Sequence, residues 1–229
     1  MTFAVVLAFG VAVLVGAAIQ GSFGFGYALV LVPTMTLLYP LAVPVTPLLL
    51  ALLMTSYMAI REWGSIDGEA FFLSTGGRVL GAIAGAGLLE VIPAEFLSTL
   101  LGILIVSAAL LSFFSPSFEP SKETQVIGGI ASGIMGTTAA IGGVPLALVY
   151  QDRPGPELRA TLAVSFAAGI IASLVTLAVT GRVEGWHFLL ALELLPALLL
   201  GLWASRWAIK SSMSGGFAPQ SWRSPHSPE

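Results

Sequence analysis

Glycines and polar side chains that interrupt long apolar stretches are where this sequence could do chemistry. Gln20, Gly21, Ser22, Gly24 and Gly26 fall in one interruption, which reads GSFGFGYALVLVP from Gly21 onward. Ser132, Gly133, Gly136, Thr137 and Thr138 fall in a second, which reads GIMGTTAAIGGVP from Gly133 onward. The chemistry these residues offer is noncovalent. A helix that starts inside an apolar layer leaves backbone N–H groups free and carries partial positive charge, which suits an anion. Small side chains let the anion approach that backbone, and the Gln, Ser and Thr groups add donors. One glycine cluster alone would more simply serve close helix packing. A duplicated cluster followed by proline favours binding.

Two charges lie well inside apolar segments. Arg78 sits in STGGRVLGAIAGAG, where a cation is expensive and is expected to face an interior cavity. It could neutralise an anionic ligand, pair with Glu193, or extend to the membrane surface. Glu193, the acid well inside the final apolar segment, is either that structural partner or a protonation site that couples transport to a proton gradient. His187 stands beside Trp186 at a segment edge and fits an interfacial anchor. His226 lies far away in a polar tail, so the two histidines form no metal constellation. No GxxxxGK[ST] loop and no convergent nucleophile, base or metal cluster is present, so the chain reads as neither an enzyme nor a cofactor protein. Pro44 and Pro47 are read as shaping the start of a span, and Arg61, Glu62, Asp67 and Glu69 as a solvated loop.

The elements that must position these residues are set out by a repeat. Gly16, Gly21, Gly24 and Pro33 recur 112 residues later as Gly128, Gly133, Gly136 and Pro145. Further on, Gly64-Ser-Ile-Asp-Gly-Glu-Ala-Phe71 resembles Gly181-Arg-Val-Glu-Gly-Trp-His-Phe188 at an offset of 117. The change of offset requires five extra residues in the second half, placed around Asp152 to Pro156. A duplicated apolar chain with irregular backbone at corresponding places is the pattern of a transporter site at a repeat interface.

Composition sets the class. Charged residues make up 9% and hydrophobic residues 56% of the 229, with mean hydropathy +0.95, against roughly 25% charged in a soluble domain. The chain is therefore read as an integral membrane protein. It has no cysteine, which excludes disulfides and thiolate chemistry. Its nine Lys and Arg are scattered singly, so no nucleic-acid surface is expected. The apolar stretch Phe3 to Ile19 lacks a preceding positive charge and is expected to be retained rather than cleaved.

Apolar segments fall at 3–38, 41–60, 70–92, 95–114, 124–150, 158–180 and 186–209. Most approach the ~20 residues that cross a ~30 Å hydrocarbon layer, where backbone groups must be satisfied by helix. The first would reach roughly 54 Å as one helix. It is therefore read as two pieces, 3–19 and 26–38, joined by an unwound stretch from Gln20 to Phe25; a second unwound stretch is expected from Gly133 to Gly143. If each broken segment crosses once, basic loop and tail residues divide as Arg61, Lys122 and Arg182 against Arg153, Arg159, Arg206, Lys210 and Arg223. If each returns to its starting side, the division is Arg182 alone against the other seven. The stronger asymmetry favours returning segments, inverted halves and a cytoplasmic C-terminus.

The fold class expected is an all-α polytopic transmembrane helical bundle of two inverted repeats with broken helices. The first repeat occupies 1–115 and the second 124–210. The second lacks a counterpart of the fourth apolar segment 95–114, and its last span is expected to be missing. Residues 211–229 are polar and rich in Ser and Pro and read as a disordered tail.

GSFGFGYALVLVP, GGIASGIMGTTAAIGGVPLALVY and TGGRVLGAIAGAG, in this order and with this duplication, resemble the sulfite exporter TauE/SafE family of membrane permeases. The resemblance covers most of residues 3–209. It implies a secondary carrier that moves small sulfur-containing or organic anions, such as sulfite, sulfoacetate or sulfonates, across the cytoplasmic membrane. Members are expected to carry four segments in each half, so the shortened second half departs from the pattern. The alternative is a non-transporting membrane subunit or degenerate paralogue without its final helix. Expected partners are a small anionic substrate and membrane lipid, with no nucleic acid and no cofactor. A missing helix would leave a packing face that a homo-oligomer could cover.

Overall fold

The structure, a computed structural model, describes residues 1–114 and 121–214. Among these residues it is helical throughout: α1 Phe3–Phe23, α2 Tyr27–Leu38, α3 Val45–Arg61, α4 Gly68–Val91, α5 Ala94–Phe114, α6 Lys122–Ala139, α7 Gly143–Tyr150, α8 Gly155–Val179 and α9 Gly185–Ser214. Short 3-10 turns at Pro40–Ala42 and Trp63–Ser65 flank α3. α1, α4, α8 and the Gly185–Trp207 part of α9 are long and apolar enough to cross a membrane. Large apolar side chains such as Phe72, Ile83, Val175, Leu192 and Leu199 are exposed, as lipid-facing surfaces require. Residues 211–214 of the expected tail continue α9, and residues 215–229 lie outside the described residues.

Local sequence explains where the helices begin. The Asp67 side chain caps α4 by accepting from the Ala70 amide, and Ser121 caps α6 through the Thr124 amide. Both broken segments fold back on themselves. A side chain at Gly16 of α1 would meet the Tyr27 backbone at the start of α2, and one at Gly128 of α6 would meet Val149 and Leu146 of α7. Each therefore forms a hairpin of helices.

The unwound stretches are shorter than expected, and the second is displaced. Helix α1 continues through Gln20 to Phe23, and its break is confined to Gly24, Phe25 and Gly26. The repeat would put the second break at 136–138, yet α6 runs on to Ala139 and breaks at 140–142. The reason is backbone chemistry. Gly24 and Gly26 hold φ of 94° and 117°, a region where L side chains are strained. The position matching Gly26 is Thr138, whose β-branched side chain keeps the helix going. The chain turns one helical turn later, with Ala140 at φ 58° followed by Gly142 and Gly143.

Packing follows glycine. Gly77, Gly81 and Gly85 of α4 meet, in order, Val126–Gly129, Ile130–Gly133 and Ile134–Thr137 of α6, so these helices run parallel with backbones in contact. In the same way Gly201 of α9 meets Leu14–Ala18 of α1, and Gly21 meets Leu202 and Ser205. α3 and α8 run antiparallel: Glu62 pairs with Arg159 at one end, while Val45 and Leu177 share a core cluster at the other. Since α1 matches α6, α3 matches α8 and α4 matches α9 by sequence offset, these directions are compatible with halves of opposite orientation.

With the hairpins folded back, one face of the bundle holds the N-terminal end of α1, the α2–α3 connection, the α4–α5 turn and the α8–α9 loop. The other holds the α3–α4 loop and the starts of α6 and α8. Arg182 stands on the first face; Arg61, Lys122, Arg153, Arg159 and Arg206 stand on the second, which we call the basic face.

Candidate functional site

Both breaks open onto one small cavity. In the first, the Gly24 amide closes α1 by donating to the Gln20 carbonyl at 2.7 Å, and the Gln20 side-chain oxygen accepts from the Tyr27 amide at 3.2 Å. In the second, the Ala140 amide donates to the Gly136 carbonyl at 2.9 Å and the Ile141 amide to Met135 at 3.2 Å. Neither α2 nor α7 has a capping bond from the residue that precedes it. At the start of α2 the Tyr27 amide is taken by Gln20 and the Leu29 amide by the Gly26 carbonyl, which leaves Ala28; at the start of α7 the Gly143 and Val144 amides have no partner among the described residues. Pro145 at the third position of α7 lacks an N–H that would be unsatisfied there in any case.

Arg78 reaches this cavity from α4 and is 2% exposed. One terminal nitrogen donates to the Ser132 hydroxyl, and the same nitrogen lies 3.5 Å from the Gly142 carbonyl. Ser132 in turn donates to that carbonyl. The guanidinium carbon lies 5.0 Å from the centre of the Phe166 ring on α8, within range for cation–π attraction. Gly169, one turn along, leaves the space the guanidinium fills, since a side chain there would begin 2.8 Å from the guanidinium carbon. The Nε of Arg78 has no hydrogen-bond partner, and no carboxylate pairs with Arg78 among the described residues. A buried cation without a counter-charge costs several kcal/mol. A negative charge placed beside it would offset that cost.

The cavity measures about 40 Å³ and is lined by Gln20, Gly26, Tyr27, Arg78, Gly136 and Gly142 among others, with Phe166 and Thr55 on its walls. At ~10–15 Å³ per water-sized group, it holds about three such groups. A larger apolar hollow of about 350 Å³ lies between α5, α6 and α7, but it offers an anion almost no polar group.

Of the residues singled out by sequence, the structure brings Gln20, Gly26, Arg78 and Gly136 onto the cavity and sets Ser132 directly behind Arg78. The others point elsewhere. Gly21 packs on Ser205 of α9, and Gly133 lies against the backbone of α4. Gly24 abuts Arg159. Ser22 donates to the Ala18 carbonyl, Thr138 to Ile134, and Thr137 bonds Ser173. Packing thus accounts for Gly21 and Gly133. Glu193 is exposed on α9 and does not meet Arg78, so the anticipated ion pair is replaced by Ser132, Gly142 and Phe166. His187 is 3% exposed and stacks on Trp186 at 3.8 Å.

Sequence reasoning passed over Phe166, Gly169, Thr55 and Tyr27. Phe166 and Gly169 share a helix face with the small polar residues Ser165 and Ser173, a faint signal in the sequence. Two of the loop charges read as solvated are paired instead: Asp67 with Arg153, and Glu62 with Arg159 at 3.0 Å, with Arg159 only 7% exposed. Partial burial pulls the Asp67 carboxyl up, but the Ala70 amide and the Arg153 guanidinium outweigh it and hold it below its ordinary value.

The family model described as Sulfite exporter TauE/SafE matches residues 8–216. No curated protein and no solved structure matches the chain. The chain belongs to the TauE/SafE family, a family of membrane transporters.

Proposed function

We propose that this TauE/SafE family member is a secondary transporter that carries small sulfur-containing or organic anions, such as sulfite, sulfoacetate or sulfonates, across the cytoplasmic membrane. The observation that carries this reading is the convergence of two helix breaks and the uncompensated Arg78 on one cavity. Arg78 neutralises the anion's charge, and the Ala28, Gly143 and Val144 amides at the starts of α2 and α7 take its oxygens. Phe166 backs the guanidinium and keeps water from that side. Two halves of opposite orientation would expose the cavity alternately to each side of the membrane as they move against each other.

The test is flux of radiolabelled sulfite and of organosulfonates in vesicles containing the parent chain and Arg78→Gln. Removing one partner of a buried charge contact typically costs 2–5 kcal/mol, so flux of the preferred anion falls by roughly thirtyfold or more. An Arg78→Gln chain that moves sulfite at the parent rate would sink the assignment of the site. Absence of flux for every small oxyanion in the parent would sink the transporter reading itself.

A further inference from the structure

The repeat departs from itself where the second half carries its extra residues, and the structure places them at the start of α8. Helices α2 and α7 end at matching positions, Leu38 and Tyr150. At the later offset, Val45 at the start of α3 matches Leu162, yet α8 already begins at Gly155. The added turns Gly155–Thr161 carry Glu157, Arg159 and Thr161. Each of these three reaches the α3–α4 loop directly or through Arg153. Arg159 Nε donates to both carboxylate oxygens of Glu62, at 3.0 and 3.1 Å. Arg153 binds Asp67 and Glu157 together. The Thr161 hydroxyl accepts from the Asp67 amide at 3.0 Å.

These contacts lie over the first break. A side chain at Gly24 would begin 3.1 Å from Arg159 Cγ. Beneath the pairs is a cavity of about 160 Å³ lined by Phe23, Phe25, Gln151 and Arg159. Phe25 borders that cavity and packs at Gly143, which borders the central one.

On the opposite face the matching loops meet without an ion pair among the described residues: His187 Nε2 lies 3.4 Å from the Leu41 carbonyl, and Trp186 packs edge-on against Tyr39. Glu184, the repeat counterpart of Asp67, enters no ion pair among the described residues. Arg182 turns to the Leu89 carbonyl and Glu90 on α4. Between the Tyr39–Val45 connection and the Gly181–His187 loop is a cavity of about 570 Å³. It reaches Val45, one turn of α3 from Leu48 on the central cavity. One face is held by ion pairs, and its counterpart by one long hydrogen bond and a ring contact beside a wide vestibule.

We propose that the added turns of α8 form the gate of the basic face, with Arg159–Glu62 and Arg153–Asp67 as its closing pairs. The gate rests on the alternating-access reading above, but its test does not depend on flux. The chain has no cysteine, so Thr55→Cys on the central cavity is a unique reporter. Its rate of reaction with a membrane-impermeant thiol reagent is measured from each face in right-side-out and inside-out vesicles.

In the otherwise parent chain, the reporter reacts faster from the Arg182 face than from the basic face. Adding Glu62→Gln with Asp67→Asn raises the basic-face rate about tenfold, the factor for roughly 1.4 kcal/mol of lost pairing. Arg153→Gln alone leaves Arg159–Glu62 in place and gives a smaller rise, which keeps the test open if the double variant does not fold. Glu69→Gln breaks an exposed pair with Lys122 on the same face and leaves the rate unchanged. The proposal is overturned if neither set of variants raises basic-face labelling, or if Glu69→Gln raises it equally. Labelling that responds without any anion flux overturns the transporter reading and leaves the gate standing. Flux with unresponsive labelling overturns the gate alone.

Discussion

Adding one methyl at Gly133 or at Gly136, three residues apart on α6, separates packing from binding. A Cβ at Gly133 would stand 2.9 Å from the Ala82 nitrogen and nearer still to the Arg78 carbonyl. Ordinary carbon contacts need ~3.5 Å, so α4 and α6 would have to part by at least ~0.5 Å. No flexible side chain can yield, because Gly129 meets Ser74 and Gly77 meets Val126 backbone to backbone in the same contact. Overpacking of this kind costs about 1–3 kcal/mol, and at about 2–4 °C per kcal/mol for a chain of this size Gly133→Ala melts several degrees below the parent. At Gly136 the new methyl would lie 3.6 Å from Gly142 Cα and 3.8 Å from an Arg78 terminal nitrogen, which is ordinary contact. Its melting temperature therefore stays level or rises, because Ala favours helix over Gly by up to ~1 kcal/mol. The methyl does, however, take space from a cavity of only about 40 Å³. The assay is thermal unfolding in detergent, followed by tryptophan fluorescence, with and without millimolar sulfite. A bound anion raises stability by RT ln(1 + [L]/Kd), so Gly136→Ala keeps the parent's melting temperature without sulfite and loses most of the sulfite-induced rise. The reasoning fails if Gly133→Ala melts with the parent, if Gly136→Ala melts several degrees lower, or if Gly136→Ala keeps the full response to sulfite.

Three further outcomes follow from the same geometry. Gly24→Ala places a side chain at φ 94° and 3.1 Å from Arg159 Cγ, and about 1–3 kcal/mol of strain lowers its melting temperature even without ligand. Phe166→Leu removes the ring beside Arg78 and about 0.5–2 kcal/mol of cation–π attraction that is present without any ligand, read as a melting temperature lowered by about 1–8 °C. The Asp67 carboxyl is held below its ordinary value of 3.8, so its stabilising contribution is fully present above that value and lost as pH falls through the lowered one. The difference in melting temperature between the parent and Asp67→Asn is accordingly constant at pH above about 5 and shrinks below about 4; a difference that varies between pH 6 and 8 would place another titrating group in control.

What the sequence made legible depends on how local the cause is. The first break could be read at Gly24 and Gly26 because glycine at positive φ is a local requirement, and an apolar segment of 36 residues needed a break somewhere. The second break moved one turn because Thr138 sits where the repeat has Gly26, a substitution that is visible only when position is weighed against similarity. Arg78 stood out because a cation inside an apolar span needs a reason. Its surroundings did not: Ser132, Phe166 and Gly169 meet it from two other helices, and a sequence carries no signal for which faces of three helices converge. The same gap misled the assignment of Glu193, which shares a buried-looking segment with Leu194 and Leu198 but points the other way. It also hid the Arg159–Glu62 and Arg153–Asp67 pairs, since loop charges far apart in sequence look alike whether solvated or paired.

The departures from the repeat carry more functional content than its matches. Gln20 and Ser132 occupy the same repeat position, and both brace a break: one accepts from the Tyr27 amide, and the other holds the Gly142 carbonyl. That symmetry supplies two helix starts facing one cavity, with no preference between the two sides of the membrane. Arg78 has no such twin, because the position 117 residues later is Leu195. On the proposed function, two helix starts with one cation make a single anion site rather than two, which leans toward the half that supplies the charge. The added turns of α8 likewise have no twin, and they latch one face only. An exact duplicate would give both conformations equal energy. On the proposed reading, the added turns of α8, unlike Arg78, set which face rests closed, and replacing their ion-pairing residues moves that balance without touching the central cavity.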